Sequence, residues 1–595
     1  MEEQYKWNLQ EIFKDSQEFE EKKQSLKKHI TEIKKYEGQL CKSSNNLYNC
    51  YYIYEKMLEE LENLYAYGML NYDLDIADQK NTKLFKEVEE LDVDFEKATA
   101  FITSELIYED PEKIRQYLEE NANLKRYERI INKTLENRKH ILSKEEEKLL
   151  ANYFGVFSAP KNIFKILTNT EFKFDEIVDE KNQKLKLSET NYTKYLKSHD
   201  ENVRKQAFNK LYQKYKDFIK TISETYLSNV KITSINAKVR NYESSLEQAL
   251  EKDETNTKVY NSLIESVNKN LKYNHEFVEL KKKMLNKEDF HMYDLYVNPF
   301  KIEKDEITFE EAKTEVLEAL EVMGKEYNEN LNKAFENSWI DAFTGENKRR
   351  GAYSMGVYGV HPYILLNFVH TKKDISTLAH ELGHSMHSYY SNSNQNVIES
   401  DYTILVGEVA STVNEILLSE YEIKNEKDKL RKAELIYELL ETIRTTFFRQ
   451  SMFAEFEMIV HEKIDNKQML STEDLNEIYY DLNKKYFGKD IVVDKEIQYE
   501  WARIPHFYRD FYVYKYSTGI SAAISIAKNI MLQGEEFVNK YIEMLKQGCS
   551  KKSINLLKIV NVDLENMEVY QATADFYKEK LDDLKEILEV YNKNN

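Results

Sequence analysis

Two histidines four residues apart, with a glutamate directly after the first, are the residues of this chain best suited to chemistry: His380-Glu381-Leu382-Gly383-His384. On a helix, positions four apart lie one turn along and about 40° around the axis, so both imidazoles face the same way. That is the geometry of two nitrogen ligands on one Zn²⁺. Glu381 sits about 100° from His380 and beside such a metal, where it can accept a proton from the attacking water. In a chain of this composition the pattern arises by chance about 0.03 times. Its weight therefore comes from its surroundings: a helical apolar pattern, and a suitable third ligand on a later helix.

A catalytic zinc takes three protein ligands and keeps one position open. His387 is the nearest candidate for the third. On one straight helix, however, it lies about 10 Å along the axis from His380, so the three cannot converge; packing or a substrate contact suits it better. A metzincin-type third histidine would fall six residues after His384, and Tyr390 stands there. Glu408 is the better candidate, in the apolar helical segment Val406-Gly-Glu-Val-Ala-Ser-Thr-Val-Asn-Glu-Ile-Leu-Leu418. A carboxylate at the start of a helix also complements the helix dipole, so ligation and dipole pairing both remain open for it. Glu415, deeper in the same apolar stretch, suits a carboxylate that holds a ligand histidine. Asp374, Ser376 or Thr377 is expected to cap the helix that carries the histidines. Gly383, inside that helix, costs about 1 kcal/mol relative to Ala. A close approach by the partner helix would account for it.

The elements around these residues must be mostly helical. Only 14 Gly and 5 Pro occur in 595 residues, and Gly plus Pro normally make up ~12% of a chain. That scarcity excludes sandwiches, barrels and loop-rich disulfide scaffolds. Residues 10 to about 150 carry helical spacing, as in apolar positions 57, 58, 61, 64 and 65, and read as long antiparallel helices. Pro111 after Asp110 marks a helix start. A small irregular or β excursion is expected between 155 and 190, and helical spacing resumes from Asn191 to about Ala237. Residues 340–410 break the pattern, with six Gly and five His. There Gly351 to Phe368 reads as one or two short strands. A second unusual patch runs from Gln498 to Tyr516 and contains His506, Pro505 and many aromatics. Ile520 to Met531 reads as a buried helix. Tyr353 and Tyr363, with His387 and Tyr512, are candidate substrate contacts. A soft boundary near 190 divides an N-terminal helical domain (1–190) from a catalytic domain (191–595) that carries the histidine motif.

The net charge of −20 argues against general nucleic-acid binding. An odd, sparse set of cysteines (Cys41, Cys50 and Cys549) is no disulfide framework. The early residues lack an apolar leader core, and no apolar run approaches a membrane span. A cytoplasmic setting, without membrane or nucleic-acid partners, is expected.

The series His380-Glu-Leu-Gly-His384-Ser-Met-His387, then Glu408-Val-Ala-Ser411-x-x-x-Glu415, resembles the thimet-oligopeptidase-type zinc metallopeptidases. Gly351-Ala-Tyr-Ser, His361-Pro-Tyr-Ile-Leu-Leu-Asn-Phe368, Trp7-Asn-Leu and His506-Phe-Tyr-x-x-Phe-Tyr-Val-Tyr-x-Tyr516 resemble the oligoendopeptidase F branch. The resemblance spans nearly the whole chain. It implies a mainly α zincin (gluzincin) fold: an elongated helical body with a deep substrate channel, covered by the N-terminal domain (1–190), and a small β element beside the zinc helix. It implies one Zn²⁺ per chain on His380, His384 and Glu408, with Glu381 as general base, and short peptides as substrates. His506 and tyrosines of the 512–516 patch match the family's contacts to the substrate carbonyl oxygen. Tyr512, Tyr514 and Tyr516 alternate, so the register among them stays open; Tyr514 and Tyr516 are carried as the catalytic candidates. The expected activity is hydrolysis of internal bonds in oligopeptides. A related zinc carboxypeptidase or dipeptidyl carboxypeptidase is the alternative, with Arg503 and Arg509 available to hold a substrate terminus. A helical binding protein without catalysis is the distant rival, and the intact His, His, Glu and Glu set argues against it.

Overall fold

The computed structural model describes residues 5–300 and 306–594, so residues 1–4, read above for a leader, lie outside it. Helix makes up 74% of the structure. In chain order the principal elements are α1 (Ser16–Ile33), α2 (Ser44–Leu74), α3 (Gln79–Tyr108), α4 (Pro111–Glu120), β1 (Ile177–Val178), β2 (Lys184–Leu185), α5 (Thr257–Met284), β3 (Ile340–Phe343), β4 (Tyr353–Met355), β5 (Tyr363–Phe368), α6 (Lys372–Asn394), α7 (Ile404–Asn425), α8 (Lys429–Ile443), α9 (Arg449–Asp465), α10 (Tyr514–Gln533) and α11 (Met567–Asn594). The expected β excursion before residue 190 is the two-residue ladder β1–β2, preceded by a helix over Ala159–Ile166. Asp110 caps α4 through the Glu112 N–H, with Pro111 in the first turn, as the sequence suggests. No described helix is long and apolar enough to cross a membrane.

Two compact units divide the chain, and both are discontinuous: Met1–Ile141, Lys304–Glu422 and Ile526–Val562 form one, Leu142–Glu303, Ile423–Ser525 and Asp563–Asn595 the other. The expected boundary near residue 190 is an edge of neither.

In the first unit, α2 and α3 form a helical hairpin across a four-residue turn. Ser43 and Asp78 cap the two helices by accepting backbone N–H bonds, which satisfies donors a helix start leaves open. Met57, Leu61 and Leu64 of α2 are buried in the core, while Leu58 and Tyr65 sit at the margin of the same stripe. The sheet of this unit has the order β3-β5-β4, with β3 parallel and β4 antiparallel to the central β5. β4 and β5 are the strands expected between 351 and 368; β3 was not read from the sequence. The indole of Trp7 pins this sheet by donating to the carbonyls of Trp339 (3.0 Å) and Ile364 (2.9 Å). Helix α6 leaves β5 after a three-residue connection.

In the second unit α11 packs along α5 and α8. The chain passes from α8 to α9 through a π-helical turn at Arg444–Phe448. That turn places Arg444 so that its guanidinium donates to both oxygens of Glu441 (3.1 and 2.8 Å), and Lys281 of α5 donates to the same carboxylate at 2.9 Å.

Candidate metal centre

Helix α6 starts earlier than the sequence suggested. Its cap is Thr371, whose N–H and hydroxyl both donate to the Asp374 carboxylate (2.7 and 2.8 Å). Ser376 and Thr377 lie inside the first turns and cap nothing; the Thr377 hydroxyl donates back to the Lys373 carbonyl. Leu378, Ala379, Leu382 and Met386 bury one face of the helix completely. Gly383 explains how close α7 comes: a Cβ there would lie 2.5 Å from the Ser411 Cα and 2.7 Å from the Ala410 oxygen. Only a residue without a side chain allows two backbones to meet in this way. Asn414, fully buried on α7, ties the crossing by donating to the Ala379 carbonyl (3.0 Å) and accepting from the Tyr327 hydroxyl (3.2 Å).

This crossing brings His380, His384 and Glu408 together. One ligand atom from each lies within 4.8 Å of the others. The Nε2 atoms of the two histidines face each other at 3.2 Å, and His380 Nε2 lies 3.8 Å from a Glu408 oxygen. His380 Nδ1 is engaged with the Glu415 carboxylate. A carboxylate only accepts, so Nδ1 carries a proton and Nε2 is the nitrogen left to give up its proton and bind a metal ion. Burial and the neighbouring His380 push His384 down to about 3, which leaves its imidazole neutral. Burial pulls His380 down as well, but Glu415, Glu381 and Glu408 outweigh it and hold it above the usual histidine range. Glu381 is pushed up to about 7 by burial, reinforced by Glu408 and Glu415; His380 and a hydrogen bond from the Ser354 backbone oppose the rise. Burial and Glu415 raise Glu408 too. Two imidazoles and three carboxylates thus crowd one place at the cleft without enough cation to balance them. Nitrogen and oxygen donors in this number suit a borderline divalent ion such as zinc.

A cleft of 440 Å³ opens over these groups, lined among others by Tyr353, Ser354, Glu381, Tyr402 and Glu408. One wall is β4, the edge strand whose only partner in the sheet is β5. Tyr353 lies at the cleft with its hydroxyl donating to Asp73 (2.8 Å). Two expected substrate contacts are corrected. Tyr363 is fully buried: β5 is the central strand, and its hydroxyl donates to the Asn8 carbonyl at 3.2 Å. His387 is 1% exposed and stacks on Tyr402 with ring centroids 3.6 Å apart, so it packs and does not reach the cleft.

A model of peptidase family M3 matches residues 194–576, and a model named for oligopeptidase F matches residues 105–174. The chain is 38% identical to the oligopeptidase PepF of Bacillus subtilis, over 98% of this chain and 87% of that protein. The chain belongs to peptidase family M3, in the oligoendopeptidase F group. The solved oligoendopeptidase F of Enterococcus faecium superposes with a TM-score of 0.73 at 32% identity, covering 96% of this chain and 99% of that one. A solved structure from Chlamydophila abortus superposes with a TM-score of 0.91 at 30% identity, over 99% and 98% of the two chains. As a family M3 member the chain is a metalloendopeptidase, a peptide hydrolase acting on oligopeptides.

The remaining candidates of this M3 chain lie in the second unit. His506, Tyr512 and Tyr516 form a cluster: His506 stacks on Tyr512 at 5.9 Å, and the Tyr516 hydroxyl lies 3.4 Å from His506 Nε2. Tyr514 is corrected as a catalytic candidate. It is fully buried against Tyr260, and its hydroxyl is occupied by Asp253 (3.0 Å) and Thr255 (3.1 Å). Arg503 pairs with Glu189 at 2.9 Å, and the Arg509 guanidinium lies 4.0 Å from the Tyr512 ring centre, so both are already engaged. Three residues at the metal centre escaped the sequence reading. Tyr402 closes the cleft, Ser354 meets Glu381 and Ser385, and Asn414 ties the helices. Gly407 was the one available signal for Tyr402: a Cβ there would lie 2.9 Å from the Tyr402 ring.

Proposed function

We propose that this M3 peptidase cleaves internal bonds of short oligopeptides with one zinc ion held by His380 and His384 through Nε2 and by a Glu408 carboxylate oxygen. The convergence of these three donors within 4.8 Å across a helix crossing carries the proposal. Zinc, when bound, supplies Lewis-acid polarisation and acidifies water. Everything else falls to the chain. Glu415 keeps the proton on His380 Nδ1 and so holds that ring's orientation. A Glu381 carboxylate oxygen takes a proton from the attacking water and passes it to the amine nitrogen of the leaving peptide. The outer edge of β4 aligns the peptide by main-chain pairing, which tolerates varied side chains. The β4 backbone at Ser354 and the side chain of Tyr353 are the contacts assigned on that wall. The family resemblance alone assigns His506 and Tyr516 as donors to the substrate carbonyl oxygen, with Tyr512 as a substrate contact.

Helices α2 and α3 act as cover for the substrate in this reading, in keeping with the place of residues 1–190 expected from the sequence. A cytoplasmic setting belongs to the same proposal, and Cys41 and Cys50 are buried free thiols. A fluorogenic peptide blocked at both termini tests the activity. Internal cleavage, abolished by a chelator and restored by stoichiometric zinc, is expected. Cleavage only of peptides with a free terminus would overturn the endopeptidase assignment, and chelator-resistant turnover would overturn the zinc.

A further inference from the structure

Beside the cleft lies a second, larger cavity of 540 Å³. The two are continuous in their walls, because Ser354, Asp401 and Tyr402 line both. Strand β4 runs from one to the other, with Tyr353 and Ser354 at the cleft and Ser354 and Met355 at the cavity, so a peptide paired with its outer edge passes this space. The far wall comes from the α2–α3 hairpin: Leu58, Leu61, Glu62 and Tyr65 from α2, and Asp92 from α3.

The chemistry of the wall is one-sided. Leu58, Leu61, Tyr65 and Met355 give apolar surface, Glu62, Asp92 and Asp401 give three carboxyl groups, and among the described residues no Lys, Arg or His lines the cavity. Glu62 stands out among them. It lies at the margin of the α2 stripe, one turn from Leu58 and Tyr65, and no described residue hydrogen-bonds or ion-pairs with it. Burial, with Asp401 and Glu59 adding to the effect, pushes its carboxyl up to about 7. A half-buried carboxyl without a partner loses part of its hydration, and an arriving cation offsets that cost. A long amphipathic cation fits such a wall: its methylene stem lies on the leucines and Tyr65, and its charged head reaches the carboxylates.

We infer that Glu62, with Asp92 and Asp401, forms a specificity pocket that takes an arginine or lysine side chain of the peptide substrate near the scissile bond. The inference rests on the peptidase reading above and names the substrate class for it. The pocket draws peptides with one basic residue into the cleft and repels those with an acidic residue at the same place.

The test uses two arms on the full-length, zinc-loaded chain. In the first, blocked fluorogenic peptides carry Arg, Gln or Glu at each position within three residues of the cleaved bond. At one position kcat/KM is expected to favour Arg over Glu by about 10-fold or more, and Glu62→Gln should bring that ratio to within about 3-fold of unity. Asp92→Asn is a second variant that should lower the same ratio. In the second arm, the same peptides, fluorescently labelled, are titrated against Glu381→Gln by anisotropy, with and without Glu62→Gln. This arm reads binding without turnover, so it answers for the pocket even if the peptidase reading fails. The expected result is the same preference for Arg, lost with Glu62. Equal binding of Arg and Glu peptides, or a preference that survives both Glu62→Gln and Asp92→Asn, would overturn the pocket.

Discussion

Glu381 and Glu441 are both glutamates on helices and both are enclosed by protein, but their acidities have moved in opposite directions. Glu441 is drawn down to about 2: burial opposes this, and the charges and hydrogen bonds of Arg444 and Lys281 overcome it. Glu381 is pushed up to about 7, because burial is reinforced by Glu408 and Glu415, and His380 and the Ser354 backbone N–H together do not offset them. In one unit a carboxylate has been given two cations; in the other, three carboxylates share the same place with two histidines, one of them held neutral. The first arrangement is complete as it stands and serves stability. The second is short of positive charge, which is what a site built around a metal ion looks like.

The sharpest contrast comes from exchanging each carboxyl for a near copy. Glu381→Gln keeps the shape and removes the titrating group, and kcat/KM for a blocked peptide is expected to fall by about 10³–10⁴-fold while zinc content stays at the wild-type level. Undiminished turnover would remove Glu381 from the proton transfer.

Glu441→Ala should act on stability. Leaving Lys281 and Arg444 without their partner costs about 3–5 kcal/mol, read from urea unfolding midpoints. The acid dependence adds a direction. The folded-state acidity of Glu441 is below its free value of 4.5, so its contribution is present above pH 4.5 and is lost as pH falls toward 2. Melting curves of Glu441→Gln should be flatter than wild type across that window. A Glu441 variant with normal stability would erase the distinction between the two regions.

Smaller effects probe how the metal centre is held. Gly383→Ala puts a methyl group where the α7 backbone already stands, and should cost about 1–3 kcal/mol with weakened zinc binding. Free acceptance of alanine there would mean that the crossing is looser than the 2.5 Å approach implies. Glu415→Gln should leave the fold intact and weaken zinc by about 10–100-fold in a chelator competition. Unchanged affinity would show that the His380 ring does not depend on Glu415.

The parts of this site that are local in sequence could be read before the fold was known. His380, Glu381 and His384 share one helical turn, and the apolar frame around Glu408 and Glu415 marks a second helix. What joins the two helices is tertiary, and only Gly383 hinted at it. Tyr363 was misassigned because the strand order β3-β5-β4 puts β5 at the centre, and no alternation within residues 351–368 reveals which strand is the edge. Tyr514 failed for a period. Tyr512 and Tyr516, four apart across the start of α10, have rings 5.6 Å apart, while Tyr514 points to the core. Read as an alternating pattern, the three tyrosines cannot be separated; read as a helix start, 512 and 516 belong together. The edges of the two contact units were not legible either: each unit is assembled from three separate stretches of chain, and composition along the sequence carries no sign of such a return.

Metal content of wild type and Glu408→Ala, measured side by side on folded protein after dialysis, tests the central claim most directly. One zinc per wild-type chain and a substoichiometric, readily lost zinc in the variant are expected. A wild-type protein that retains no zinc when supplied with it, or a Glu408→Ala protein that holds one zinc as tightly as wild type, would contradict it.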